Sequence, residues 1–171
     1  MREPEPFTLI LAPAAIASIA VEWSGAERML ARVRGMVGVT AGTNPAMADP
    51  LARVVYNLPL LLAFEALRGA LIAARDTGYF ACGSDYPGPL MDAARDALPW
   101  LDWQALRDGL RRRNRVAHDG DLYGADQCIA DVQCVEAQRG YPIVCVWPAR
   151  GIGDQRTTAG SRSGNMIANW A

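Results

Sequence analysis

The chain reads as an all-α protein, a bundle of about four to five helices. Three observations predict this class. Apolar residues recur at spacings of three and four through most of the chain, the period of a helix with one buried face. Prolines, glycines and capping residues fall where those runs begin and end. Only one short stretch, Tyr141 to Pro148 (YPIVCVWP), is β-branched and proline-bounded enough to be strand-like or extended.

Pro13 suits a first helical turn, and the run from Ala14 to about Met36 reads as the first helix. Ile16, Ile19, Ala20, Trp23, Met29, Leu30 and Val33 form its apolar stripe, and Gly35 and Gly38 end it before a loop from Thr40 to Pro50. Leu51 to Asn57 opens a second helical region that Pro59 kinks or restarts. From Leu60 to Ala74 that region is apolar almost all round, as the central helix of a bundle is. Only Glu65 and Arg68 interrupt it, three residues apart and so able to pair with each other. Gly78 to Pro89 is a turn-rich loop, Pro89 to Leu98 a short helix, and Pro99 to Asp102 a connector. Asp102 is placed to cap a helix from Trp103 to His118, and Gly120 to stop it. A last helix runs from about Gly124 to Gln138. Residues 1–148 are therefore expected to form one helical domain, and residues 149–171, with the run TTAGSRSG, a flexible tail.

Composition narrows the function. The 171 residues are 51% hydrophobic and 20% charged, enough for a sizeable core and too apolar for a disordered chain. The net charge of −1 creates no global attraction for nucleic acid, so any basic site must be local. All 17 cations are arginine, a bias that fits a GC-rich bacterial genome. Cys82, Cys128, Cys134 and Cys145 form no C-x-x-C pair, and a single histidine supplies too few nitrogens for the usual zinc sites. They read as reduced thiols of a cytoplasmic protein, with no metal and no cofactor expected. The uncharged run from Phe7 to Val21 is shorter than the roughly 20 residues of a membrane span, and Pro13 interrupts it, so a buried first helix is expected. Neither an internal repeat nor a glycine-rich phosphate loop is present.

Chemistry concentrates in Arg111 to Leu122, RRRNRVAHDGDL, which holds four arginines within five residues and the sole histidine, His118. On a helical wheel with Leu110 at zero, Trp103, Leu106 and Ala117 fall within about 40° and define a seam. Asn114 lies at about +40° and His118 at about +80°, with Arg113 near −60°. Arg111, Arg112 and Arg115 are expected to face solvent and to contact an RNA backbone. Metal-free RNA cleavage needs a base for the 2′-hydroxyl, an acid for the leaving oxygen and a cation on the phosphate. An imidazole serves as acid or base, and a guanidinium offers a fixed fork of donors to phosphate. One histidine per chain cannot be both at once. Two copies of the Trp103–His118 helix packed seam to seam in a homodimer would supply the pair.

The string R-N-R-V-A-H, Arg113 to His118, resembles the R-φ-x-x-x-H motif of HEPN domains, with the usual polar residue after the arginine. The resemblance extends from about Leu51 to Gln138, through the apolar helix before the motif and the helix after it. It implies a small helical bundle, often dimeric, and in many members a metal-independent endoribonuclease of toxin–antitoxin, phage-defence or RNA-processing systems. Arg113 and His118 would be catalytic, Asn114 supporting, RNA the substrate, and a cognate antitoxin a partner. Other members have lost activity and only bind nucleotides or partner proteins, which is the rival expectation. HEPN toxins paired with nucleotidyltransferases often carry a tyrosine two residues after the histidine. Here that residue is Gly120, and Tyr123 is out of register.

Overall fold

The computed structural model describes residues 9–40 and 50–140, which form five α-helices and no strand among them. These are α1 (Pro13–Thr40), α2 (Pro50–Asp76), α3 (Pro87–Ala94), α4 (Trp103–His118) and α5 (Ala125–Gly140). The all-helical class expected from periodicity is the class observed. The extended segment and tail expected from Tyr141 onward lie outside the described residues, as do Cys145 and residues 41–49 between α1 and α2.

The apolar composition of α2 dictates the architecture. A helix without a polar face has to be covered on several sides, and α2 packs against all four other helices. Leu60, Ala63, Phe64, Ala66 and Leu71 are buried, joined by Trp23, Ala26 and Leu30 of α1, Leu90 and Met91 of α3, Leu106 and Leu110 of α4, and Val132 and Val135 of α5. Each fully buried large aliphatic or aromatic side chain contributes about 1.5–3 kcal/mol, so this single cluster holds the bundle together. The helix runs through Pro59 without restarting. By length and composition Val54–Asp76 would also meet the requirements of a membrane span; here it is the central element of the bundle.

The apolar run before α1 has a local explanation. Leu9 and Leu11 are buried with Ala74 near the C-terminal end of α2, and the Tyr79 hydroxyl accepts a hydrogen bond from the Ile10 backbone N–H at 2.7 Å. The short third helix begins two residues before Pro89 and ends at Ala94 rather than Leu98. Pro87 and Pro89 both fit in its first turn, where no N–H is required. Gln138 of α5 fixes the following connector, accepting from the Leu101 N–H and donating to the Pro99 carbonyl, both at 2.8 Å. Asp102 caps α4 through the Ala105 N–H at 2.9 Å, and Gly120, at φ +74°, takes the left-handed turn that ends it. Trp100 and Trp103 meet edge to face at 5.1 Å and pack on the core.

Candidate functional site

α4 carries every residue singled out from the sequence, and its rotation decides which of them face inward. Leu106, Gly109 and Leu110 are buried, whereas Ala117 is exposed. The buried face is therefore turned by roughly 40° from the seam expected from periodicity. Gly109 is the cause. A Cβ there would lie 3.0 Å from Phe64 Cζ and 3.6 Å from Asp131 Cγ, so the missing side chain lets α4 settle between α2 and α5. The apolar seam is consequently spent inside the bundle, and two copies of α4 cannot pack along it. A shared site would have to use the exposed face.

Rotation carries Arg113 into the bundle. Its side chain is only 15% exposed, and its Nη2 donates to Glu65 Oε1 of α2 while Nη1 donates to Asn114 Oδ1 at 3.2 Å. Glu65 also accepts from Arg68 Nε at 2.7 Å, the pairing expected from their spacing. One carboxylate thus bridges two guanidinium groups. Arg113 Nε is buried with no hydrogen-bond partner among the described residues. His118 stands exposed on the last turn of α4.

The other three arginines have different surroundings. Arg112 is not a free solvent cation: its Nε and Nη2 donate to the two oxygens of Asp131 on α5 at 2.7 and 2.6 Å. Those hydrogen bonds raise the guanidinium's pKa further, against the opposing effect of burial. Arg111 is exposed and pairs with Asp108 one turn back at 2.8 Å. Arg115 is exposed, and among the described residues no carboxylate lies within ion-pair distance of it. Together with Asp108 and Tyr123, these three arginines line a solvent-open recess of about 170 Å³.

Four residues outside the motif shape this region and escape a motif search. Asp131 anchors Arg112, and Gly109 sets the rotation. Asn57, 1% exposed on α2, donates through Nδ2 to the Tyr123 carbonyl at 3.0 Å and accepts from the Tyr123 N–H at 3.2 Å. This two-way clamp fixes Tyr123, the fourth, on the loop that follows His118. The sequence signal was a polar side chain inside an apolar run, which must find a partner when buried. Among the described residues no group of three or more His, Cys, Asp or Glu could hold a metal ion. Cys82, Cys128 and Cys134 are free thiols, and Cys128 donates to Oδ1 of the Asn57 clamp at 3.3 Å.

Compared with family models, with curated proteins and with solved structures, the chain matches none.

Proposed function

We propose that this chain is a metal-independent endoribonuclease of the HEPN type, acting as a homodimer. The observation that carries the reading is the state of Arg113. A core position on a helix seam is more stably filled by an apolar side chain than by a paired charge, and an unsatisfied buried N–H costs about 1–3 kcal/mol. An arginine kept there under that cost, bridged to Glu65 and Asn114 and five residues before an exposed histidine, has the setting of a group retained for chemistry. In the proposed reaction an imidazole removes the proton from a 2′-hydroxyl, whose oxygen attacks the adjacent phosphorus. Arg113, steadied by Asn114, stabilises the crowded phosphorane. The bond to the 5′-oxygen breaks, and a second imidazole, His118 of the other chain, protonates the leaving group. The products are a 2′,3′-cyclic phosphate and a free 5′-hydroxyl.

One observation favours a different reading, a catalytically silent helical module that binds a nucleotide or a partner protein such as an antitoxin. Arg113 is largely enclosed and already engaged by Glu65, as a purely structural ion pair would be. Incubating mixed RNA with the protein in EDTA separates the two. The ribonuclease reading expects cleavage by the wild type and its loss, by about a hundredfold or more, in His118→Ala. No cleavage by the wild type favours the silent module, and equal cleavage by the two proteins removes His118 from the chemistry.

A further inference from the structure

The recess on the outer face of α4 is built from parts that also join the helices: Arg112 and Asp131 tie α4 to α5, and Tyr123 packs partly against the core. Its floor is Arg112, aimed by Asp131, which is 5% exposed and also accepts from Gln127 at 3.1 Å. Its wall is Tyr123, held through its backbone by the buried Asn57. Two buried polar side chains therefore spend their hydrogen bonds on groups that line a surface depression. Burying such groups is costly unless they are satisfied, and here the satisfaction also fixes the orientation of the recess. The rim is Arg111 and Arg115. Three cations and one carboxylate, Asp108, line the space, and that carboxylate is already turned to Arg111. Asp119 and Asp121, on the turn after His118, do not line it.

Guanidinium groups with free donors recognise the oxygens of phosphate. Arg115 precedes His118 by three residues, so the two are neighbours on the helix surface, about 5–6 Å apart at Cβ. That is comparable with the spacing of successive phosphates along one strand. We propose that the recess is a second phosphate subsite, which takes the RNA backbone phosphate next to the one cut beside His118, with the Tyr123 ring against the adjoining sugar or base. The inference rests on the ribonuclease reading for its substrate. It makes single-stranded RNA longer than a dinucleotide the ligand, because a dinucleotide has no second phosphate to place.

The test uses a fluorescein-labelled 2′-O-methyl oligoribonucleotide, which carries the phosphates and lacks the attacking hydroxyl. Its affinity for wild type, Arg115→Gln, Arg115→Glu and a distant exposed control, Arg32→Glu, is measured over a salt series by anisotropy. Loss of one charge-assisted contact predicts about tenfold weaker binding for Arg115→Gln. The slope of log affinity against log salt is expected to fall by about one, with the control close to wild type. No binding by the wild type, unchanged affinity in both Arg115 variants, or an equal loss in Arg32→Glu overturns the subsite. Cleavage of the unmodified strand is read in parallel. Binding that depends on Arg115 without any cleavage leaves the subsite standing and removes the ribonuclease. Cleavage with a KM indifferent to Arg115 removes the subsite and leaves the ribonuclease.

Discussion

Arg113 and Arg112 are neighbours in sequence, yet each is drawn to an acid on a different helix: Glu65 of α2 for the first and Asp131 of α5 for the second. At the residue scale this is what a run of arginines on a close-packed helix does. A guanidinium that rotation places against the core must find a carboxylate, because an unpaired buried charge costs several kcal/mol. Arg111 and Arg115, on the far side, are left for solvent or ligand. Cys128 shows the same rule for a group without a charge partner. It is buried, its thiol donates to Asn57 Oδ1 at 3.3 Å, and burial with the nearby Asp131 pushes its pKa up to about 11 from 9.0. A folded-state pKa above the unfolded one means the neutral form contributes stability below pH 9, and this is lost as the pH rises from there to about 11. The loss at the alkaline end is expected to reach about 2–3 kcal/mol. Urea unfolding of wild type and Cys128→Ala across that range should show the steeper decline in the wild type; parallel curves would contradict it.

At the scale of elements, one glycine sets the geometry of α4. Gly109→Ala places a methyl group 3.0 Å from Phe64 Cζ. Overpacking of about 1–3 kcal/mol should outweigh the helix-propensity gain of about 1 kcal/mol. Gly25 of α1 has nothing within 4 Å of the same position, so Gly25→Ala should stabilise by up to about 1 kcal/mol. Thermal melts are therefore expected to move in opposite directions, by about 2–4 °C for each kcal/mol; a rise in both would deny the close approach. The same glycine marks where the sequence stops being legible. The limits of α4, its Asp102 cap and its Gly120 stop follow from residue chemistry alone, as does the central place of α2. The Glu65–Arg68 pair was visible from spacing, but its third member was not: the wheel set Arg113 beside the seam, at about −60°, yet could neither weigh a glycine nor name a partner 48 residues away. Asp131 and Asn57 were hidden for a related reason: their partners lie 19 and 66 residues away, and long-range pairing leaves no local pattern. The start of α3 was displaced because Pro89 looked like a first-turn residue, when the turn holds Pro87 as well.

For the whole molecule, the spent seam of α4 turns any two-chain active site toward the side that carries Arg111, Arg115 and His118, where half-buried Asn114 links that side to the guanidinium of Arg113. A two-fold axis through that side would bring two imidazoles to one groove. Mixing wild type with a growing excess of His118→Ala, after dissociation and reassociation, should drive the activity per wild-type chain toward zero, since heterodimers hold a single imidazole. Constant activity per wild-type chain would mean that each site works alone. The central claim, that His118 and Arg113 serve in-line attack by a 2′-hydroxyl without a metal, meets its most direct test in the products. A defined RNA strand and its 2′-deoxy counterpart are incubated with the protein in EDTA, and the ends are identified by mass spectrometry. The account predicts 2′,3′-cyclic phosphate and 5′-hydroxyl ends from the RNA and an intact deoxy strand. Cutting of the deoxy strand, or 5′-phosphate ends on the RNA fragments, would contradict it.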